Sequence, residues 1–421
     1  MLAGALSIVI ACTRPAFADG TTAQDATLRA LAEAIEQVKA KYVGFVDDRK
    51  LAADAIRGMI QGLDPYSDFL EPEAYRELKQ DNSGRFGGLG MEVGMEAGAV
   101  RIFSTYEDSP AFLAGLRPGD LITRLNEASV EGMTLDQAIQ RARGEPDTSI
   151  VLTVLRKGDI EPHVVTLRRA IIHSRSVKSA LLGSGYGYVK ITHFNQRTAE
   201  STLGAILEMV HQSGNGLKGV LLDLRDNPGG LLRSAVGVSS VFLPDESLVV
   251  YTEAASAESR MRLQASEKRY LPARDAENIR LLAFLKTVPL VVLVNSGSAS
   301  AAEIVAGALQ DQHRAIVAGT QTFGKGTVQV LLPLSDGSAL KLTTAYYLTP
   351  AGQRIQGKGV TPDKVIERSG AAEAADMACA NTDSLSAQDA VLVMAIPGNG
   401  NDCQLVHALD LLRHLPILAH N

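Results

Sequence analysis

Three serines in one short stretch are the first residues whose type and setting fit nucleophilic chemistry. Ser296, Ser298 and Ser300 lie in the sequence NSGSASAAE, residues 295–303, between an apolar run that predicts a β-strand and a helix predicted to begin near Ser300. Free N–H groups and the positive dipole end of a helix favour developing negative charge at its first turn. A serine placed there can attack a carbonyl carbon while the N–H of Ala301 receives the oxyanion. Taken alone, the stretch is more typical of a capping loop, because serine is common at helix starts.

A lysine flanked by glycines is the candidate general base. Lys325 lies in the sequence TFGKGTVQ, residues 322–329, among apolar neighbours. A lysine accepts a proton near neutral pH only if burial lowers its pKa to about 7–8. If the segment is extended, Lys325, Thr327 and Gln329 share one face, and Gln329 can orient the amine as aspartate does in other triads. The alternative is a solvated loop lysine.

Competing interpretations of these segments fail on particular residues. Residues 319–325 begin like a phosphate-binding P-loop, but Gly326 stands where that motif has Ser or Thr, and a strand rather than a helix is predicted next. His313 is the histidine nearest to Ser300 in sequence, yet it follows the far end of the predicted helix, about 15 Å away. The chain contains no G-x-S-x-G elbow. Nucleotide binding, a histidine base and an α/β-hydrolase site are therefore not expected.

A second glycine-rich turn is a candidate partner for the oxyanion. The sequence LRDNPGG, residues 224–230, ends one predicted strand and opens the next helix. Two glycines after a proline allow N–H groups to converge on one point, so either Gly229 or Gly230 is a candidate second donor. Alone, this segment fits an ordinary β–α turn.

The elements that must position these residues fall into three predicted regions. Residues 27–80 have helical periodicity, and residues 91–169 contain short strands and two short helices. From residue 187 onward, strands alternate with helices, which predicts a mainly parallel sheet. A charged, helix-leaning insertion at about 245–289 predicts a cap. The tail after residue 368 is weakly patterned until a final helix near 405–412.

The small β region has features of a peptide-binding module. Gly88, Leu89, Gly90 and Met91 form a loop whose amides can hold a carboxylate. The strand that follows and the helix predicted at 135–143 would accept an extended peptide as an added strand. The alternative is a glycine-rich linker turn.

Composition and the N-terminus limit the function classes. The 421 residues are 46% hydrophobic and 21% charged with a net charge of −6, which predicts a globular protein with a large core and no nucleic-acid groove. A short apolar run followed by Ala-Phe-Ala at 16–18 predicts a secretory signal at 1–18, although a lipidated Cys12 in Val-Ile-Ala-Cys is a rival. In an exported protein Cys379 and Cys403 can form a disulfide or remain free thiols.

Together these segments resemble the C-terminal processing (tail-specific) peptidase family, whose members join a PDZ domain to a Ser-Lys protease core. The resemblance spans about residues 35–365 and rests on 297–303, 323–329 and 224–230, together with 58–65 and 348–363. It implies an α/β fold (α+β overall): a mixed, mostly parallel sheet of crotonase-like type with an inserted PDZ domain and a helical N-terminal region. The implied domains are a signal peptide at 1–18, a helical region at 19–82, a PDZ domain at 83–170, a protease core at 171–367 with a cap at about 245–289, and a C-terminal segment at 368–421.

The resemblance also implies residue roles. Ser300 is the nucleophile, Lys325 is the general base 25 positions later, and Gln329 orients it. The oxyanion donors are Ala301 and a glycine of the 227–230 loop, with Gly229 and Gly230 both open. Gly88, Leu89, Gly90 and Met91 form the PDZ loop to which the resemblance assigns binding of the peptide tail.

The predicted function is an exported, periplasmic serine endopeptidase that cleaves proteins near their C-terminal tails, with the PDZ domain recognising tails and gating the site. The alternative localisation is membrane anchoring through Cys12. No metal or cofactor is expected; the partners are substrates with extended tails, and an adaptor lipoprotein and a homo-oligomer are left open. A non-enzymatic tail-binding scaffold and a Ser-Lys amidase or transferase are the competing functions.

Overall fold

The structure is a computed structural model that describes residues 20–159, 161–182, 185–214, 216–271, 276–367 and 402–416. The predicted signal at 1–18, Cys12 and Cys379 lie outside these residues. The helices, in chain order, are α1 (Gly20–Lys41), α2 (Asp48–Gln61), α3 (Pro72–Ser83), α4 (Pro110–Leu113), α5 (Leu135–Ala142), α6 (Thr198–Ser213), α7 (Leu232–Phe242), α8 (Glu267–Tyr270), α9 (Ala276–Leu285), α10 (Ala301–Asp311) and α11 (Cys403–Arg413).

The strands, in chain order, are β1 (Asp68–Leu70), β2 (Arg85–Gly88), β3 (Met91–Glu96), β4 (Ala99–Thr105), β5 (Leu121–Leu125), β6 (Ala128–Ser129), β7 (Ser149–Leu155), β8 (His163–Arg168), β9 (Ala170–His173), β10 (Val177–Leu182), β11 (Tyr186–Ile191), β12 (Gly219–Asp223), β13 (Leu248–Glu253), β14 (Arg262–Gln264), β15 (Leu290–Val294), β16 (Ile316–Gly319), β17 (Thr327–Pro333), β18 (Ala339–Leu348) and β19 (Lys364–Val365). Helices and strands are therefore mixed along the described residues.

A six-stranded sheet in the order β10-β11-β12-β15-β16-β19 carries the serine-rich loop. Strands β11, β12, β15, β16 and β19 run parallel, and β10 pairs antiparallel with β11. Every residue of β12 and β15 is buried, as expected for central strands covered on both faces. Helices α6, α7 and α10 pack on one face, and α11 packs on the other. The carboxyl ends of β12 and β15 thus lie side by side, and both predicted oxyanion loops start there.

A second, antiparallel sheet carries the lysine segment. It contains β1, β18, β13 and β14 in order, with β17 paired to β18. Two parts of it correct the sequence prediction: β1 interrupts the region predicted as helical, and β13 and β14 lie inside the insertion predicted as helix-leaning. Strand β13 forms because it pairs with β18, about ninety residues later in the chain, and local periodicity does not report so distant a partner.

The small β region forms a module with its own core. Strands β3-β4-β5-β7-β8 form one antiparallel sheet, with β6 on β5, and α4 and α5 complete the module. Its core includes Ile102, Ile122 and Leu152, which are at most 1% exposed. Strand β2 before the module pairs with β9 after it, so that the chain enters and leaves at one neck.

The C-terminal helix α11 is attached to the main sheet by a buried ion-pair network. Arg225, which is 6% exposed, donates to Asp223 at the end of β12 and to Asp402 before α11, both at 2.7 Å. Cys403 is disulfide-bonded, and the other two cysteines of the chain lie outside the described residues. Within the described residues, no helix is long and apolar enough to cross a membrane.

Candidate active site

Ser300 lies at the junction between β15 and α10 in a strained backbone conformation. Its φ of 55° and ψ of −112° are uncommon for a residue with a side chain. Ser298 is used structurally, because its hydroxyl donates to the Leu224 carbonyl at 2.8 Å and accepts the Asn295 N–H at 2.9 Å. Ser296 is exposed. Of the three serines, Ser300 alone lines the large cavity of about 760 Å³ among the described residues.

Glu303 joins the serine loop to the lysine loop. Its carboxylate is fully buried and accepts from the N–H groups of Ser300 (2.7 Å), Gly324 (2.7 Å) and Lys325 (2.9 Å) and from the Thr322 hydroxyl (2.6 Å). Burial raises the pKa of Glu303, although the four donors favour the ionised form. One acidic side chain therefore fixes the spacing between two segments about twenty residues apart in sequence.

Lys325 lies just before β17, and its side chain is half-buried at the cavity. Burial, followed by the nearby charge of Lys341, lowers the pKa of Lys325, which is the direction that a general base requires. Its Nζ lies 5.1 Å from the centroid of the Tyr66 ring. Within the described residues, no hydrogen bond joins this amine to Ser300 or to Gln329.

Gln329 lines the same cavity, but its amide nitrogen donates to the hydroxyls of Thr327 (2.8 Å) and Thr343 (3.2 Å). Thr343 in turn donates to Asp64 at 3.1 Å, in the turn after α2. The predicted triad residues are thus gathered at one cavity, while the contacts of Gln329 lead to the N-terminal region rather than to Lys325.

The two candidate oxyanion glycines differ in the state of their N–H groups. The Gly229 N–H donates to the Asn227 side chain at 2.9 Å. The Gly230 N–H has no acceptor among the described residues, and Gly230 lines the cavity whereas Gly229 does not. The Ala299 N–H bonds to the Asn227 carbonyl at 2.9 Å, which fixes this loop against the serine loop. The N–H of Ala301, at the start of α10, likewise has no acceptor among the residues that the structure describes.

Tyr347 is a further residue at the cavity that sequence reasoning missed. It is 5% exposed, and burial raises its pKa to about 12, while a contact with the Ser300 side chain opposes the shift. Its N–H donates to the Gly326 carbonyl at 2.7 Å, directly beside Lys325. Glu303 could have been noticed from its place three residues after Ser300, but Tyr66 and Tyr347 carry no local signal.

The predicted PDZ loop leads into a free sheet edge. Strand β3 pairs on one side with β4, and its other edge is unpaired within the described residues. The N–H groups of Leu89 and Gly90 form no hydrogen bond with described residues, whereas the Gly90 carbonyl accepts from Tyr106 N–H (2.8 Å) and the Ser109 hydroxyl (2.9 Å). Gly90 has a φ of 75°. Gly88 pairs with Ala170 in β9, and Met91 pairs with Thr105 in β4.

Two other expectations concern metals and histidine. In the described ranges, no group of His, Cys, Asp and Glu residues is arranged to hold a metal ion. His313 is exposed and follows the carboxyl end of the 11-residue helix α10, about 16 Å from Ser300 along the helix axis. This position does not allow it to act on Ser300.

Comparison with known proteins matches three segments of the chain to family profiles. Residues 185–366 match peptidase family S41, residues 104–156 match a PDZ domain, and residues 13–74 match the N-terminal domain of the activating protease CtpB. The carboxy-terminal-processing protease of Bartonella bacilliformis is 40% identical over 334 residues, which are 79% of this chain and 73% of that protein.

A probable CtpA-like serine protease of Staphylococcus saprophyticus is 36% identical over 328 residues, which are 78% of this chain and 63% of that protein. The chain therefore spans less than two thirds of this second relative. Among solved structures, the photosystem II D1 C-terminal processing protease is 30% identical with a TM-score of 0.44, and the match covers 80% of this chain and 92% of that one.

Proposed function

This chain belongs to peptidase family S41 and is a PDZ-containing serine-type peptidase of the C-terminal processing group, and we propose that it cleaves exported proteins near their C-terminal tails with a Ser300–Lys325 dyad. The observation that carries this proposal is the buried carboxylate of Glu303, which accepts four hydrogen bonds. It holds the backbones of Ser300 and Lys325 at the same cavity.

In the proposed reaction, Ser300 Oγ attacks the scissile carbonyl carbon and its proton passes to the neutral amine of Lys325. The N–H groups of Ala301 and Gly230 donate to the oxyanion, a choice supported by the engagement of the Gly229 N–H with Asn227. Collapse of the tetrahedral intermediate breaks the peptide bond, and Lys325 returns the proton to the leaving amine. A water molecule, deprotonated by Lys325, then attacks the acyl carbon; the ester bond to Ser300 Oγ breaks, and Lys325 returns the proton to Oγ.

The contacts of Lys325 suggest how the site is gated. Its amine lies over the Tyr66 ring and is not bonded to Ser300 in the described structure. We propose that rotation of the Lys325 side chain away from Tyr66 brings its amine within hydrogen-bond distance of Ser300 Oγ and of the side-chain carbonyl oxygen of Gln329. Since Tyr66 belongs to the N-terminal region, its displacement would couple that region to catalysis.

The remaining parts of the proposal concern the substrate and setting. The PDZ loop at 88–91 and the free β3 edge would bind the substrate tail as an added strand. The parallel run from β11 to β19 supports a core of the crotonase-like type, and the β2–β9 neck supports a PDZ domain at about 83–170. Export to the periplasm, with lipidation of Cys12 as the alternative, an adaptor lipoprotein and a homo-oligomer stay proposals.

The test uses a folded reporter protein that carries an unstructured C-terminal tail. We expect the purified peptidase to cut within the tail, and mass spectrometry of the released fragment locates the cut. A reporter with the same segment inserted in an internal loop is the matched control, and we expect it to be cut more slowly. Equal cleavage of both reporters, or of neither, would contradict tail-directed proteolysis.

A further inference from the structure

Basic side chains and no carboxylates are found among the described residues that line the cavity beside Ser300. Arg233, Arg269 and Lys341 are among its described lining residues, and none of those residues is Asp or Glu. No ion pair joins any of the three to a described carboxylate. Asp68 is the cross-strand neighbour of Lys341, but its carboxylate accepts the N–H of the adjacent Phe69. The cavity therefore has a positive wall whose three cations form no ion pair with the described carboxylates.

The amino end of α7 opens onto this wall directly after Gly230. Helix α7 has 11 residues, and Leu231 at its N-cap supplies no side-chain cap. The N–H groups of Leu232 and Arg233 form no hydrogen bond within the described residues. Such an end carries free donors and the positive end of the helix dipole, which together favour an anion.

Ser234, in the first turn of α7, supplies an independent sign of a missing acceptor. It is 6% exposed and lines the cavity, yet its hydroxyl forms no hydrogen bond within the described protein. Two other buried serines of the same helix do the opposite, since Ser239 donates to the Ala235 carbonyl (3.0 Å) and Ser240 to the Val236 carbonyl (2.8 Å). A buried hydroxyl without a partner is unfavourable, so the Ser234 hydroxyl is a free donor for a ligand oxygen at this cavity.

We propose that Arg233, Ser234 and the amino end of α7 form a carboxylate subsite that selects substrates carrying a negative charge near the scissile bond. Because the substrate is a polypeptide, a deduction that rests on the proposed function, the carboxylate is either an Asp or Glu side chain or the free C-terminus of the tail. The hydroxyl of Ser234 and the helix N–H groups donate to it, and Arg233 supplies the opposite charge. Arg269 adds positive potential from α8.

The test compares peptides that differ only in charge. One short peptide with a cleavable bond is made in three forms: with an Asp close to that bond, with Asn in its place, and with Asn and an amidated C-terminus. We expect wild type to cleave a carboxylate-bearing form about tenfold faster in kcat/KM than its neutral counterpart, the size of one charge-assisted hydrogen bond. Ser234→Ala and Arg233→Gln should remove most of this preference, chiefly through KM.

Lys268→Gln is the matched control, because Lys268 is an exposed cation beside Arg269 that does not line the cavity; it should keep the full preference. Ser234→Ala loses no hydrogen bond within the described residues and removes a buried hydroxyl without a partner, so its thermal midpoint should not fall below that of wild type. The Asp-to-Asn step and the amidation step show which carboxylate is recognised, and a preference in either supports the subsite.

Two failures are distinguishable. If wild type cleaves all three peptides equally, or if Ser234→Ala and Arg233→Gln keep the preference, the carboxylate subsite is wrong and the peptidase assignment stands. If wild type cleaves neither these peptides nor a protein with an unstructured tail, the proposed function itself fails.

Discussion

Replacing Glu303 by Gln tests how the nucleophile and the base are held together. One carboxylate oxygen accepts the N–H groups of Ser300 and Lys325, and the other accepts Gly324 N–H and the Thr322 hydroxyl. A glutamine must place its NH₂ group at one of these positions. At the position of the first oxygen, the NH₂ group would face the N–H groups of Ser300 and Lys325, which are backbone donors and cannot rotate to become acceptors.

The second position is the less costly one, and it sets the magnitude. The Thr322 hydroxyl can rotate to accept from the NH₂ group, but the Gly324 N–H is left facing another donor in a buried site. One unsatisfied buried donor costs about 1–3 kcal/mol, so we expect the free energy of unfolding to fall by about that amount. Because a shift of about 1 Å in a catalytic group can reduce the rate about 100-fold, we expect kcat to fall by about 100-fold with little change in KM.

The assay measures kcat and KM on a short peptide and the thermal midpoint of the same preparation. Glu127→Gln is the matched control, because Glu127 is exposed in the turn between β5 and β6, and it should change neither quantity. If Glu303→Gln lowered the thermal midpoint but kept kcat within about threefold of wild type, Glu303 would support the fold without positioning the site, and the reasoning would be refuted.

Three further predictions address the base, the oxyanion loop and the PDZ loop. Lys341→Gln removes a positive charge near Lys325 and so raises the pKa of Lys325, which should move the rising limb of the kcat pH profile to higher pH. Lys341→Arg keeps the charge and is the control. An unmoved limb in Lys341→Gln would contradict this prediction. Gly230→Ala places a Cβ 2.1 Å from the backbone carbonyl oxygen of Phe194. Steady-state kinetics should show kcat lowered about 100-fold, as loss of an oxyanion donor does. A kcat equal to that of wild type would exclude Gly230 as a donor. Gly90→Ala places a Cβ 2.3 Å from that of Ser109 and should weaken binding of a fluorescent tail peptide measured by anisotropy, so unchanged affinity would argue against the 88–91 loop.

Much of the site could be predicted because its main residues lie in short, contiguous motifs. The serine loop, the lysine segment and the glycine turn each follow a strand or precede one, and local patterns place them there. The structure brings Ser300, Lys325 and Gln329 to one cavity. It also distinguishes the two candidate oxyanion donors, because the Gly229 N–H donates to the Asn227 side chain and the Gly230 N–H has no acceptor among the described residues. The sequence could not show this difference.

The parts that sequence missed depend on contacts between distant segments. Strands β1 and β13 exist because β18 pairs with both, so neither has a strong local pattern. Tyr66 reaches Lys325 from a turn about 260 residues earlier in the chain. Thr327 and Gln329 lie on one face of the strand, as predicted, and the Gln329 amide donates to the Thr327 hydroxyl. The alternation of residues along a strand does not show that this amide also donates to Thr343 and not to Lys325.

The most direct test of the dyad is covalent labelling of the nucleophile as pH is varied. A peptidyl fluorophosphonate forms a phosphorus–oxygen bond with an activated serine and releases fluoride, and peptide mapping locates the adduct. We predict one adduct, on Ser300, at a rate that rises with pH below the usual pKa of lysine, about 10.4, and that falls about 100-fold or more in Lys325→Met. An adduct on Ser296 or Ser298, or labelling as fast in Lys325→Met as in wild type, would contradict the Ser300–Lys325 assignment.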